Sequence, residues 1–301
     1  MIALVTGGAG FIGSHLVEEL VRRKYKVIVL DNLSTGSLEN LKFVKNKIKF
    51  IKCDLSKNKN LTRLFYGVDY VFHLAGLSEV AASIKNPHKY YEANVIGTLN
   101  ILNSVRHLKL KKFIYSASAS CYGNPEKIPT DEKAEIQTLS PYASTKWISE
   151  KMILQRAMAQ RLPAISLRFF NVYGPRSRAS GPYSAVIGIF AKQKLANKPL
   201  TITGDGSQSR SFIYVSDAVE VMIKAAKSKI FNEIYNVGGQ KSMKINEIAN
   251  IFKGKKIYIP KRVGDPKHSS ANIEKIIRQL NWKPKVSIKE GINILLKGVN
   301  K

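Results

Sequence analysis

The chain has 301 residues, 44% of them hydrophobic, with 49 Lys and Arg against 21 Asp and Glu and a formal net charge of +28. That length holds one large α/β domain and a smaller lobe, and no apolar run nears the roughly 18 residues that a membrane-spanning helix needs. Two cysteines, Cys53 and Cys121, make neither a disulfide framework nor a zinc set; both lie in apolar stretches and read as buried thiols of a reducing compartment. Lysines are scattered singly and in pairs, as at Lys42, Lys45, Lys47 and Lys49, with no stripe of basic and aromatic residues. A solvated lysine surface is the first reading of this charge, and a polyanion such as RNA the second.

The first segment, Ile2-Ala3-Leu4-Val5-Thr6, reads as a buried strand with no basic stretch ahead of it, so no secretion signal and a cytoplasmic location are expected. Gly7-Gly8-Ala9-Gly10-Phe11-Ile12-Gly13 follows, then an amphipathic helix to about Arg23, then Lys26-Val27-Ile28-Val29-Leu30 ending at Asp31. In this strand–turn–helix–strand order the glycines let the backbone approach a pyrophosphate, and the helix N-terminus offers it free N–H groups. Asp31 falls where a carboxylate accepts from both ribose hydroxyls of NAD and repels a 2′-phosphate, so NAD is expected over NADP.

Ile48 to Cys53 form a third strand ending at Asp54-Leu55, beside the expected adenine site. After a helix, Tyr70-Val71-Phe72-His73-Leu74-Ala75-Gly76 is a fourth strand leading into a small-residue loop where the cofactor passes; His73 reads as a packed structural histidine. Pro87 to about His107 reads as a long helix containing Asn94, and Phe113-Ile114-Tyr115-Ser116 as a fifth strand followed by Ser118-Ala119-Ser120.

Ser140 and Pro141 have the character of an N-cap and a first helical residue. Tyr142 and Lys146, one helical turn apart, then share a face, and an ammonium beside a phenol favours the phenolate, lowering a pKa ordinarily about 10. Ligands of open α/β sheets bind at the carboxyl ends of the strands, so Ser118 and the Tyr142/Lys146 pair are expected to face one crevice. Ala164 to Phe169 form a sixth strand, and from about residue 175 helices and short strands alternate irregularly, with turns at Gly204-Asp205-Gly206 and Gly238-Gly239. The fold class expected is α/β: a Rossmann-type doubly wound parallel sheet in a dinucleotide domain, 1–174, with a mixed α/β substrate lobe, 175–301, interleaved with the sheet edge.

Taken together these residues resemble the extended short-chain dehydrogenase/reductase family, in its nucleotide-sugar branch, and most closely the UDP-glucose 4-epimerase group. The matching pieces are Thr6 to Gly13, Asp31 with Asn32-Leu33-Ser34-Thr35-Gly36, Asp54-Leu55, His73 to Gly76, Ser118 to Gly123, Tyr142 with Lys146, Arg168 to Pro175, Gly204 to Phe212 and Arg262-Val263-Gly264-Asp265. The resemblance implies NAD held by Gly7, Gly10, Phe11, Ile12, Gly13, Asp31, Asn32, Ser34, Gly36, Asp54, Leu55, Leu74, Ala75, Gly76, Asn94, Tyr142, Lys146 and Phe169. It implies a UDP-sugar held by Ser118, Tyr142, Asn171, Arg210, Arg262, Asp265 and Ser269, with the two arginines on the diphosphate. Ser118, Tyr142 and Lys146 are the implied catalytic residues, and no metal is expected.

Sugar 4,6-dehydratases of the same branch carry an Asp-Glu pair after the residue at the Ser118 locus, and UDP-glucuronate decarboxylases a Glu; Ala119 and Ser120 stand here and cannot transfer protons in that way. Ser269 stands near the locus where a bulky aromatic confines the epimerases to plain hexoses, which leaves N-acetylhexosamines and uronates open. A net dehydrogenase or reductase is an alternative, and so is a catalytically idle RNA-binding protein, against which stands the intact Tyr142, Lys146 and Ser118 set. Members of the branch commonly dimerise through helices corresponding to 90–107 and 142–160, so a homodimer is expected.

Overall fold

A computed structural model describes residues 1–58, 60–177, 186–260 and 267–298. In chain order the strands are β1 (Ile2–Thr6), β2 (Lys26–Asp31), β3 (Ile48–Lys52), β4 (Tyr70–His73), β5 (Lys112–Ser118), β6 (Ala164–Phe169), β7 (Asn171–Tyr173), β8 (Leu200–Thr203), β9 (Ser209–Tyr214), β10 (Glu233–Val237), β11 (Ser242–Lys244), β12 (Lys256–Ile259) and β13 (His268–Ser269). The helices are α1 (Phe11–Arg22), α2 (Val80–Lys85), α3 (Pro87–Tyr90), α4 (Gly97–Ser104), α5 (Pro141–Gln160), α6 (Val186–Leu195), α7 (Val215–Lys227), α8 (Ile245–Phe252), α9 (Glu274–Leu280) and α10 (Ile288–Gly298).

The chain forms two compact units. The first takes Met1–Cys121, Thr138–Arg168 and Val219–Tyr235; the second takes Tyr122–Gln137, Phe169–Ala218 and the chain from Asn236 onward. The seven-stranded sheet runs β10-β6-β5-β4-β1-β2-β3. β1 pairs in parallel with both β2 and β4, and strand order reverses there, which places a ligand crevice at the ends of β1 and β4. A parallel sheet is covered on both faces, so its strands are apolar throughout; every residue of β4 and β6 is buried. Leu4, Leu30, Val71, Phe113 and Tyr115 from the strands join Ile101 from α4 and Ile153 from α5 in one apolar core.

Two expected elements differ. Between β3 and β4 no helix forms among the described residues, only the single 3-10 turn Thr62–Phe65. Asn58 donates to the Asp54 carbonyl at 2.7 Å and Asn60 accepts from the Thr62 N–H at 3.3 Å, local bonds that compete with helix formation. The helix expected over 87–107 ends at Ser104 and widens to a π-helical turn over Tyr91–Ile96, between α3 and α4. That turn carries Asn94.

In the second unit β9 is central: β7 and β13 pair with it in parallel and β11 antiparallel, while β8 and β12 form a separate parallel pair. The expected turn at Gly204-Asp205-Gly206 leads into β9; Gly206 has φ of +73°, a conformation that favours glycine.

Candidate active site

The glycine loop leaves β1 at Thr6 and enters α1 at Phe11, with Gly10 as an N-cap that brings no side-chain bond. Its first-turn N–H groups are therefore free of a side-chain cap and suited to an anion. Gly7 has φ of +70°, and a Cβ on it would lie 2.7 Å from the Ala75 nitrogen; one on Gly13 would lie 2.1 Å from the Gly7 oxygen. At Gly7 and Gly13 the backbone is thus packed too closely for any residue but glycine.

Asp31, at the end of β2, is buried and accepts from the Ala9 N–H at 2.9 Å and the Leu33 N–H at 2.8 Å, one on each carboxylate oxygen. Each oxygen keeps a lone pair for a further donor. Gly36 packs against Ala9, and the Ser34 N–H donates to Asn32. Asn32 in turn donates to Asp54 at 3.1 Å. Burial raises the Asp54 carboxyl, but bonds from Ser56 and Asn32 outweigh it and hold the group below its ordinary value. Phe11 stacks edge-on against His15, and Leu55 lies in the apolar core.

Thr6 links this loop to the next. Its hydroxyl accepts from the Ala75 N–H at 3.1 Å and bonds the His73 ring at 2.8 Å; the other ring nitrogen bonds Thr98 at 2.9 Å. Burial lowers the His73 imidazolium to about 3, so this histidine is a neutral packing group, as its sequence position indicated. Asn94 holds the loop after β4 by two bonds to Leu77 and reaches across to Thr145 of α5 at 2.9 Å. A Cβ on Gly76 would lie 2.8 Å from the Asn94 Oδ1 and 4.0 Å from Lys146 Nζ, so this loop passes directly over the lysine. Leu74 donates to the Thr6 carbonyl, and Phe169 is buried at the end of β6.

Ser140 caps α5, accepting from the Ala143 N–H at 3.2 Å, with Pro141 in the first turn. Tyr142 and Lys146 then fall on one face, and the structure brings the Ser118 and Ser120 hydroxyls close enough to the Tyr142 phenol to favour its ionised form. Burial pushes the Tyr142 phenol above its ordinary value, and the serines pull against this. The structure therefore does not show the lowered phenol expected from the Tyr-Lys spacing. Lys146 is buried with Nζ over the Tyr115 ring, 4.4 Å from its centroid. That burial lowers its ammonium from an ordinary 10.5 to about 7, against the pull of Glu150.

Glu150 was missed by the sequence reading. Buried under the lysine, it takes Arg168 of β6 at 2.6 and 3.0 Å and the Ser166 hydroxyl at 2.7 Å. The signal was present as Tyr142, Lys146, Glu150 at successive turns of one helix.

Lys146 has a consequence for stability. The unfolded chain keeps its proton up to about 10.4, while the folded chain releases it near 7. Between those values the unfolded state holds more protons, so stability rises with pH from about 7 towards 10, and below 7 the whole deficit is present. Lys146→Met is expected to stabilise the ligand-free protein at neutral pH by roughly 3–4 kcal/mol and to flatten this slope, as read by urea unfolding across pH.

In the second unit Asn171 donates to the Ser211 carbonyl at 3.2 Å. Arg210 is buried on β9 and donates to the Ser209 and Lys267 carbonyls at 2.8 and 3.3 Å. Ser269 on β13 is its register partner, so the structure brings these two together. Arg262 and Asp265 lie outside the described residues.

The profile of the NAD dependent epimerase/dehydratase family matches residues 3–238. The chain belongs to this family. Its glycine loop and Asp31 fit the family's cofactor, NAD: Gly7 and Gly13 leave no room for a side chain, and the carboxylate has spare acceptor capacity. Among solved relatives, a UDP-glucose 4-epimerase from Thermotoga maritima with UDP-glucose is 35% identical, covering 100% of this chain and 99% of its own, at a TM-score of 0.95. A UDP-N-acetylglucosamine 4-epimerase from Methanobrevibacter ruminantium, in complex with UDP-N-acetylmuramic acid, is 36% identical over 99% of this chain and 97% of its own, TM-score 0.93. A UDP-glucuronic acid 4-epimerase from Bacillus cereus, with UDP-glucuronic acid and NAD, is 31% identical over 100% and 99%, TM-score 0.92. This epimerase-family chain has no helix, among its described residues, long and apolar enough to cross a membrane.

Proposed function

We propose that this protein inverts the 4-hydroxyl of a UDP-hexose, interconverting UDP-glucose and UDP-galactose, with UDP-N-acetylhexosamines also within its reach, through a transient 4-keto sugar. The observation that carries the reading is the meeting of Ser118 and Tyr142, with Lys146 beneath the loop after β4, in a fold shared end to end with UDP-sugar 4-epimerases. Bound NAD supplies a hydride acceptor and donor and, when oxidised, a positive charge that favours a phenolate.

The chain's own residues position and move the proton. Tyr142 takes it from the sugar 4-hydroxyl and gives it back to the opposite configuration. Ser118 donates to the 4-oxygen and steadies negative charge there. Lys146, when protonated, adds a charge on the same face of α5 and draws the phenol towards its ionised form. Asn171, Arg210, Arg262, Asp265 and Ser269 of the second unit hold the nucleotide and sugar, the arginines on the diphosphate, as suits a planar guanidinium fork. Ala119 and Ser120 place no carboxylate beside Ser118, which supports epimerisation over dehydration or decarboxylation. The active form is a homodimer joined through the helical stretches 90–107 and 142–160, where Tyr91, Ile96, Leu99 and Met158 are exposed.

Asp31→Ala is expected to weaken NAD binding about 10- to 100-fold by calorimetry, because it removes charged acceptors from the ribose and two bonds that shape the loop. The function is tested by incubating the NAD-loaded protein with UDP-Glc, UDP-Gal, UDP-GlcNAc, UDP-GalNAc and UDP-GlcA and identifying products by NMR. Interconversion of a gluco/galacto pair supports the reading; a product with altered redox state, or none from any of the five, overturns it.

A further inference from the structure

Tyr115 of β5 touches Lys146 in two places. Lys146 Nζ lies over the Tyr115 ring, 4.4 Å from its centroid, and the Tyr115 hydroxyl donates to the Lys146 carbonyl at 3.3 Å. The Tyr115 side chain is buried, and the His73 ring packs against it with centroids 5.5 Å apart. His73 is itself fixed by Thr6 and Thr98, so the ring under the ammonium has a fixed neighbour. An aromatic face is negative at its centre and attracts a cation, the more so where water is excluded. Burial holds the Tyr115 phenol well above its ordinary range, so the ring stays neutral.

The other titratable groups in this part of the first unit are His73 of β4, Cys121 just past β5, Tyr142 and Glu150 on α5 and Arg168 of β6. His73 and Cys121 are kept neutral by burial, and burial pushes Tyr142 up as well. Glu150 favours the Lys146 ammonium, but its oxygens already take Arg168 at 2.6 Å and the Ser166 hydroxyl at 2.7 Å.

We propose that Tyr115 is a positioning residue for Lys146: its ring face holds the ammonium beneath the loop after β4 and keeps it charged there, while its hydroxyl ties the helix backbone at the same residue. This rests on the role given to Lys146 above and deepens it. An ammonium on a flexible lysine stem is strongly hydrated, and a buried one loses its proton readily. The ring face replaces part of the lost water with an attraction that only the charged form feels.

The test titrates Lys146 by NMR of the NAD-loaded protein, without sugar, labelled with carbon-13 at the lysine ε carbon, the resonance being assigned by its loss in Lys146→Arg. Tyr115→Phe keeps the ring face and is expected to leave the Lys146 midpoint near wild type. Tyr115→Leu is expected to lower it by about one pH unit, a tenfold shift of the ammonium equilibrium. Fluorinated phenylalanines placed at the same position keep the shape of Tyr115→Phe while drawing electron density from the ring face. They are expected to lower the midpoint further with each added fluorine, and they carry the test even where Tyr115→Leu does not fold. A midpoint that stays at the Tyr115→Phe value through the fluorinated series, or one that falls as far in Tyr115→Phe as in Tyr115→Leu, would overturn the proposal. Loss of the epimerase reading shows up separately, as a wild-type protein idle on every UDP-sugar, because these midpoints are read without turnover.

Discussion

Tyr142→Phe is expected to lower turnover of UDP-glucose by about 10²- to 10⁴-fold while KM changes little. Phenylalanine keeps the ring and its packing on α5 and removes only the oxygen that meets Ser118 and Ser120. The fold loses one hydrogen-bond partner, worth about 1 kcal/mol, so thermal melting should move by no more than a few degrees. A loss confined to kcat marks an interaction made only as the reaction proceeds. Steady-state kinetics at neutral pH check this; a turnover within about fivefold of wild type would remove Tyr142 from the proton-transfer role.

Arg168→Ala is expected to cost about 3–5 kcal/mol of stability in urea unfolding. Arg168 and Glu150 are almost wholly buried, at 3% and 1% side-chain exposure, and meet at 2.6 Å. Removing the arginine strands a carboxylate that has only Ser166 left as a donor among these contacts. The pair also fastens α5 to β6, so the damage reaches the helix that carries Tyr142 and Lys146. Replacing both partners with apolar residues, as in Glu150→Leu with Arg168→Met, should cost much less than Arg168→Ala, since no charge is then left buried. A single-variant loss below about 1 kcal/mol would show that the pair carries little.

The features legible in the sequence were those set by local chemistry. The glycine loop, Asp31 at the end of β2 and the Ser140-Pro141 start of α5 are each fixed by a few neighbouring residues, and each forms as read. His73 was rightly read as packed, since it lies in an unbroken apolar strand. What failed depended on distant partners. The π-helical turn at Tyr91–Ile96 has no composition signal of its own; it goes with Asn94 bonding both Leu77 and Thr145, one on each side. The missing helix between β3 and β4 was lost to asparagine bonds that compete with a helical backbone.

The phenol gives the sharpest contrast. Spacing placed Lys146 on the face of Tyr142 correctly, yet the state of both groups follows from burial, which a linear pattern does not carry. Burial raises the phenol and lowers the ammonium, so the pair carries less charge than a simple pairing argument gives. Arg210 makes the same point: its burial, and its bonds to the Ser209 and Lys267 carbonyls, come with the pairing of β9 and β13 and have no local signal.

In the proposed reaction hydrogen leaves and returns to one sugar carbon without exchange with water. UDP-glucose bearing deuterium at C4, incubated with the NAD-loaded protein in ordinary water, tests it most directly. UDP-galactose that retains deuterium at C4 is expected, with no stoichiometric release of NADH; galacto product with that deuterium washed out to solvent would rule this route out.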